Sequence, residues 1–176
     1  MKISTILSDL DSTRGHREAL YKYFHQNPEL SLQEYKTADR IESELKTCGL
    51  TDITRIGETG LVAVISNGDG PVVAMRADID GLPMAEQSGK DYAATGVTQM
   101  DMLTGVETPV AHTCGHDVHI VSLLGAVQAL TAHLEDWSGT FLAVFQPAEE
   151  NAAGARTMVE MGIVDKVIPL IEIPEA

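Results

Sequence analysis

Apolar side chains recur at helical spacing near the start of the chain and predict a first helix over residues 6–26. The stripe that defines it comprises Leu7, Leu10, Leu20, Tyr23 and Phe24. This stripe weakens over residues 13–17, where polar and charged residues dominate. The Asn-Pro pair at 27–28 is predicted to end the helix, because proline cannot continue the helical hydrogen-bond pattern.

A second helix is predicted directly afterwards. Ser31 and Glu34 stand in the spacing of a capping box, in which a serine and a glutamate satisfy the first free N–H groups of a helix. Its buried face is predicted to be Tyr35, Ala38, Ile41 and Leu45. Gly49 is well placed to end it, since helices commonly stop at a glycine in the left-handed conformation.

From residue 53 the pattern changes to short apolar runs. Residues 61–65 and 72–77 are two such runs, and residues 66–71 between them (SNGDGP) are typical of a turn. The two runs therefore predict a β-hairpin. Neither alternates apolar with polar residues, so both faces of the sheet are expected to be covered by helices.

The rest of the chain predicts a layered α/β domain. Residues 81–113 show no regular period, and a segment of this length is predicted to be either a long functional loop or disordered. Residues 117–134 are apolar almost all round, which predicts a deeply buried helix. Residues 140–145 are predicted to form a central strand, and residues 152–161 a short helix. Strands alternating with helices indicate a sheet with helices on both faces.

Composition excludes several classes of protein. Of the 176 residues, 44% are hydrophobic and 22% charged, as in an ordinary folded protein, and the formal charge is −14. This charge argues against partners such as nucleic acid or an anionic membrane surface. No run approaches the ~20 apolar residues of a membrane helix, and residues 1–18 lack the features of a signal peptide. A cytoplasmic location is predicted, and Cys48 and Cys114 do not suggest a disulfide framework.

Residues 112–119 (HTCGHDVH) place three histidines, a thiol and a carboxylate in eight positions. Cysteine and histidine bind borderline-soft divalent metals. Gly115 permits an irregular turn that would direct Cys114 and His116 to one ion. The alternative is the start of a helix with incidental histidines. The histidines on helical patterns elsewhere are predicted to be ordinary surface or core residues: His16, His25 and His133.

Further carboxylates follow the predicted strands, where ligands gather in α/β sheets. Glu149 and Glu150 follow the central strand, so that one could bind a metal and the other could accept a proton from water. Alternatively they could favour the start of the next helix. Asp78 and Asp80 could bind metal, orient a histidine that binds metal, or pair with Arg76. Three predicted loops therefore bring candidate residues to the same end of the sheet.

Four segments, in this order, resemble a family of metal-dependent peptidases and amidohydrolases that includes hippurate hydrolases, aminoacylases and plant auxin-conjugate hydrolases. They are residues 25–30 (HQNPEL), 76–84 (RADIDGLPM), 112–117 (HTCGHD) and 145–150 (FQPAEE) with 154–156 (GAR). The resemblance extends over about residues 12–162. It implies a zinc-peptidase-like α/β catalytic domain with two metal ions, interrupted in sequence by a smaller lid or dimerisation domain.

The resemblance also implies roles for individual residues. Cys114, His116 and Glu150 are expected to be metal ligands, and Glu149 is expected to be the general base and acid. The divalent metal would be zinc, manganese or cobalt. The implied reaction is hydrolysis of the amide bond of a small-molecule N-acyl amino acid, in which Glu149 accepts a proton from water and returns it to the leaving amine. Asp80 and His112 lie in the motifs but receive no definite role.

The sequence also departs from the family pattern. No histidine follows His133, although the family carries further histidine ligands, and residues 166–176 no longer resemble it. Residues 1–176 are therefore interpreted as the N-terminal portion of the catalytic domain, incomplete, with the lid and the C-terminal catalytic part absent. Such a truncated chain is expected to hold metal weakly and to have little activity. An uncovered sheet edge would favour self-association.

Other functions stay open at this stage. An aminopeptidase or dipeptidase of the same fold would bind a free amino terminus instead of an acyl group. A non-catalytic remnant would bind metal or a partner without turnover. A soluble α/β domain with an incidental His-Cys-His cluster would bind no metal under reducing conditions. Metal analysis together with hydrolysis of N-benzoyl and N-acetyl amino acids distinguishes these alternatives.

Overall fold

The computed structural model describes residues 3–164. It forms two helices where one was predicted, α1 (Ile3–Ser12) and α2 (Arg14–Gln26). The break falls at Thr13, at the beginning of the segment where the apolar stripe weakens. The Arg17 guanidinium lies across this break and donates a hydrogen bond to the Leu10 carbonyl oxygen at 2.6 Å. As predicted, α2 ends before the Asn-Pro pair at 27–28.

Helix α3 (Tyr35–Thr47) ends as predicted but begins differently. Gly49 has φ +83°, and the N–H of Leu50 bonds the carbonyl of Leu45, which is the glycine-terminated helix end expected from the sequence. The predicted capping box is wrong. Ser31 donates its hydroxyl to Asp80, and the Glu34 carboxylate is buried beneath the sheet end. Both side chains form tertiary contacts, which outweigh the local cap.

Within residues 3–164 the main sheet has four strands in the order β1-β2-β6-β3. Their ranges are β1 (Ile53–Ile56), β2 (Gly60–Asn67), β3 (Val72–Asp78) and β6 (Gly139–Gln146). Strand β6 pairs antiparallel with β2 and parallel with β3. The predicted hairpin between residues 61–65 and 72–77 is therefore wrong, because β6 lies between these strands. The hairpin that forms is β1–β2. The prediction of a central strand over residues 140–145 is confirmed.

The segment predicted as a long loop contains a small second sheet. Strands β4 (Thr98–Asp101) and β5 (Val106–Pro109) pair antiparallel within it. Residue pairs Leu82–Ala111 and Leu30–Gly81 join this segment to the neighbouring loops. Strands of four residues are too short to show a period in the sequence, which explains why they were not predicted.

Helices cover both faces of the main sheet, as predicted. Helices α2, α3 and α4 (His116–Ala132) pack on one face, and α5 (Ala153–Glu160) packs on the other through Met158. Helix α4 was predicted to be deeply buried, and this holds for its sheet-facing side, whereas Val118 is 50% exposed. Only its sheet-facing side is fully buried, including Ile120 and Leu123. No helix in the described range is long and apolar enough to cross a membrane.

Candidate metal centre

The two parallel strands bring two site-bearing loops to the same edge of the sheet. Asp78 at the end of β3 is the register partner of Gln146 at the end of β6, so residues 79–81 and 147–150 emerge side by side. The third element is the start of α4, preceded by Gly115 in the left-handed conformation at φ +83°. The structure therefore confirms the prediction that three loops converge at one edge of the sheet.

Cys114, His116 and Glu150 come together at this edge. Their potential ligand atoms lie within 4.8 Å of one another, with His116 buried, Glu150 half-buried and Cys114 exposed. The Glu150 Oε1 atom lies 3.8 Å from His116 Nε2. The sequence prediction that these three residues converge on one place is met by their geometry. That they bind a metal stays a prediction.

The chemistry of this group fits a divalent cation. Among the described residues, the buried Glu150 Oε1 has no hydrogen-bond partner, and such an atom is costly unless a ligand satisfies it. The carboxylates around the Cys114 thiol, Glu150 first among them, raise its pKa. A bound cation would reverse this effect and favour the thiolate. A thiol, an imidazole and a carboxylate are also a donor set that suits zinc.

His116 is held in the orientation that a metal ligand needs. Its Nδ1 lies 2.9 Å from the backbone oxygen of Asp80 and 3.2 Å from the Oδ1 atom of the same residue. We assign the hydrogen bond to the backbone oxygen, since the Oδ1 atom has no hydrogen-bond geometry and acts through its charge. In the neutral ring this bond places the proton on Nδ1 and leaves the Nε2 lone pair facing the glutamates. Burial lowers the pKa of His116, but Asp80 outweighs it and raises this pKa to about 8.

Asp80 orients other groups and lies outside the converging trio. It is almost fully buried, and its Oδ2 accepts hydrogen bonds from the Ser31 hydroxyl at 2.7 Å and from the Glu150 N–H at 3.1 Å. Of the three roles considered for the aspartates, orienting a histidine fits Asp80, whereas pairing with Arg76 at 3.3 Å fits Asp78.

Glu149 faces the same nitrogen as Glu150. Its Oε2 lies 3.8 Å from His116 Nε2, and its side chain is 38% exposed against 19% for Glu150. Adjacent residues in a strand point to opposite sides, but both glutamates reach the same nitrogen here. Strand β6 ends before this pair, and Ala148 has φ +47°, so the backbone no longer alternates. The more exposed Glu149 is the one that solvent or a substrate can reach.

His25 is the residue that the sequence interpretation missed. It was predicted to be ordinary, yet its ring lies between two carboxylates, with Nδ1 2.6 Å from Asp117 Oδ2 and Nε2 2.9 Å from Glu86 Oε1. Burial lowers the pKa of His25, but the two carboxylates outweigh it and raise this pKa. Asp117 directly follows His116, so the network fixes the start of α4. The sequence did give one indication, because His25 is the first residue of segment 25–30, one of the segments that resemble the family.

Two further histidines lie beside the centre. His112 is buried, neither ring nitrogen has a hydrogen-bond partner among the described residues, and burial lowers its pKa to about 4. His119 lies one helical turn after His116, stacks on its ring at 5.3 Å, and forms a second close group with His116 and Asp78. His133 lies at the other end of α4, where it pairs with Asp9 at 3.0 Å.

Gly154 allows the loop that carries the glutamates to pack closely. A Cβ at this position would lie 1.5 Å from the Pro147 carbonyl oxygen. We expect Gly154→Ala to lower the free energy of unfolding by about 3 kcal/mol, measured by urea denaturation, because the loop must move. Gly15→Ala in α2 is the control. Its Cβ would meet nothing within 4 Å, and we expect it to stabilise the chain by about 0.5 kcal/mol. Equal stability of the two variants would contradict the close packing.

Comparison with known proteins gives a consistent result. The family model described as "Peptidase family M20/M25/M40" matches residues 74–174. The IAA-amino acid hydrolase ILR1-like 5 of Arabidopsis thaliana is 37% identical over 143 residues, covering 81% of this chain and 30% of that protein. The hippurate hydrolase of Campylobacter jejuni is 33% identical over 162 residues, covering 92% and 39%.

A solved structure agrees with the described fold. The YXEP protein of Bacillus subtilis, a dinuclear metal-binding peptidase from the M20 family, superposes with a TM-score of 0.76 and is 34% identical, covering 88% of this chain and 41% of that one. The chain thus spans 30% to 41% of the length of these relatives. The expectation that the resemblance stops near residue 162 is wrong, since the family match continues to residue 174, beyond the described residues. The chain belongs to the peptidase family M20/M25/M40.

Proposed function

We propose that this chain takes part in metal-dependent hydrolysis of the amide bond of N-acyl amino acids. The observation that carries the proposal is the convergence of Cys114, His116 and Glu150, with Glu149 facing the same nitrogen of His116. Two relatives support the substrate class: the Arabidopsis protein is named as a hydrolase of IAA-amino acids and the Campylobacter protein as a hydrolase of hippurate, both of which are acylated amino acids. An acylated amino group distinguishes this class from peptidase substrates with a free amino terminus.

Cys114, His116 Nε2 and Glu150 Oε1 are the atoms that would hold a divalent ion, for which we propose zinc, manganese or cobalt. When bound, such an ion polarises a carbonyl group and lowers the pKa of water. Asp80 keeps the proton of His116 on Nδ1, so that Nε2 can donate its lone pair. These three residues suffice for one ion, so the second ion of the dinuclear centre needs donors in addition to them.

Glu149 moves the proton in this proposal. Its carboxylate accepts a proton from the attacking water and returns it to the nitrogen of the leaving amino acid. The position is suitable, because Glu149 lies beside the ligand group and is the more exposed of the two glutamates. Three features position the groups around the centre without reaching its solvent-exposed side. They are Glu34, Asp80 and the network of His25, Glu86 and Asp117 at the start of α4.

Residues 1–176 are proposed to form the N-terminal portion of the catalytic domain. Strand β3 is an edge of the described sheet, and its Val73 and Met75 are 51% and 45% exposed, which supports self-association through this edge. The net charge of −14 supports the absence of nucleic acid and membrane surfaces among the partners. A cytoplasmic location is also proposed, since the exposed Cys114 thiol serves as a ligand only while reduced.

We expect the 176-residue polypeptide to bind about one Co²⁺ per chain and to hydrolyse N-benzoylglycine about 10³-fold more slowly than a relative with both ions. Losing the second ion removes several kcal/mol of transition-state stabilisation, which corresponds to this factor. Calorimetry and elemental analysis measure the metal, and ninhydrin detection of the released glycine measures turnover. A chain that binds no Co²⁺ under reducing conditions would refute the proposed metal site. Cleavage of dipeptides in preference to N-acyl amino acids would refute the substrate class.

A further inference from the structure

We propose that Glu34 is a positioning residue that holds the Glu149–Glu150 pair against His116. The inference rests on the proposed function only for what that pair does in catalysis. Glu34 lies in the segment between α2 and α3, far from the pair in sequence, and its carboxylate reaches the loop that carries both glutamates.

The contacts of Glu34 join three separate parts of the chain. The side chain is fully buried, with an exposed fraction of 0%. Its Oε1 accepts hydrogen bonds from the N–H of Leu32 at 3.0 Å and from the N–H of Ala148 at 2.8 Å. Its Oε2 accepts one from the Thr59 hydroxyl at 2.9 Å. The carboxylate therefore ties the loop after β6 to the turn before β2 and to its own segment.

The bond to Ala148 matters because of the backbone conformation there. Ala148 has φ +47°, a region that disfavours residues with a Cβ. Its N–H is held by Glu34, and its carbonyl oxygen accepts the N–H of Gly154 at 3.1 Å. This left-handed residue directly precedes Glu149, and both glutamates that follow come within 3.8 Å of His116 Nε2. Without the bond to Glu34, Ala148 loses one of the two backbone hydrogen bonds described here.

A second contact from the same segment supports this reading. The Ser31 hydroxyl bonds Asp80, and the same Asp80 oxygen accepts the N–H of Glu150. Residues 31–34 therefore brace both ends of the loop, at Ala148 and at Glu150.

The chemistry of Glu34 itself points to more than packing. Burial raises its pKa to about 7, against which the hydrogen bonds from Ala148 and Thr59 act. A carboxyl group in this place is unfavourable for stability compared with an uncharged side chain. The acceptor that it offers to the Ala148 N–H offsets this cost.

The test compares Glu34→Ala, Glu34→Asp and Glu34→Gln in the 176-residue chain. The amide of glutamine still offers an oxygen to the Ala148 N–H, whereas alanine offers none and aspartate is one methylene too short. We expect the affinity for Co²⁺, measured by calorimetry, to fall about tenfold or more in Glu34→Ala and Glu34→Asp, and to stay within about threefold in Glu34→Gln. Amide hydrogen exchange at Ala148 and Glu149 should accelerate in the first two variants only.

Asn67→Ala is the control for general destabilisation. Asn67 donates to the carbonyl oxygens of Leu134 and Trp137 at the opposite end of β6, so its loss should lower stability without changing Co²⁺ affinity. Wild-type affinity and exchange in Glu34→Asp would overturn the proposal, as would an equal loss of affinity in Asn67→Ala. If Glu34→Ala does not fold, Glu34→Asp decides. If the wild type binds no Co²⁺, the proposed function fails, while amide exchange at Ala148 still decides the role of Glu34.

Discussion

Replacing Cys114 with serine is expected to lower the affinity of the chain for Co²⁺ by about 100-fold or more. Changing a residue that only orients a metal ligand lowers metal affinity by about 10- to 100-fold. Loss of a direct thiolate donor should therefore reach the upper end of that range. A serine hydroxyl fills the same space but stays protonated and binds soft metals poorly. Competition calorimetry measures the affinity, and the absorption band of the Co²⁺–thiolate bond should disappear in the variant.

Cys48→Ser is the matched control for this experiment. Cys48 is a free, partly buried thiol that packs against the core at the end of α3, and burial raises its pKa. Its replacement should leave both the affinity and the absorption band unchanged. If Cys48→Ser abolishes the band and Cys114→Ser preserves it, the thiol ligand has been assigned to the wrong residue.

The second large effect is expected at Glu149. The experiment uses a relative that carries the whole catalytic domain. Replacing the glutamate that corresponds to Glu149 with glutamine should lower kcat by about 10²- to 10⁴-fold, because general acid–base catalysis contributes that much. The glutamine is nearly isosteric but cannot accept a proton from water. Metal content should remain at the wild-type level, as measured by elemental analysis after gel filtration.

Glu150→Gln provides the contrast, since it should lose metal as well as activity. The two variants separate proton transfer from ligation, although the glutamates are adjacent and face the same nitrogen of His116. The opposite pattern, with metal lost in the Glu149 variant and kept in the Glu150 variant, would show that the two roles are reversed.

The sequence predicts the convergence of the candidate residues better than it predicts strand pairing. The helices and the long strands follow from local periodicity, which the chain shows clearly around α3 and β6. The β2–β3 hairpin was wrong because a strand formed much later in the chain, β6, pairs with both, and no local pattern records this. The capping box failed for a similar reason, since Ser31 and Glu34 bond distant residues.

The candidate ligands could be found because their chemistry is visible in the sequence. A thiol and an imidazole around Gly115, and carboxylates after a strand, indicate metal binding before their distances are known. Glu34 lies in a predicted capping pattern and His25 on a helical pattern, so their residue types and spacing do not indicate metal binding. Their importance depends on what lies opposite, namely the Ala148 N–H for Glu34 and two carboxylates for His25.

The position of β6 between β2 and β3 has a consequence for how the protein folds. Residues 60–78 leave the ribosome well before residue 139, so both earlier strands wait without their partner while the turn at residues 66–71 favours pairing them with each other. Any such pairing would have to be undone before β6 could enter, and closing such long loops is slow. The candidate ligand Glu150 follows β6 directly, so the three candidate ligands come together only when β6 docks between the two earlier strands.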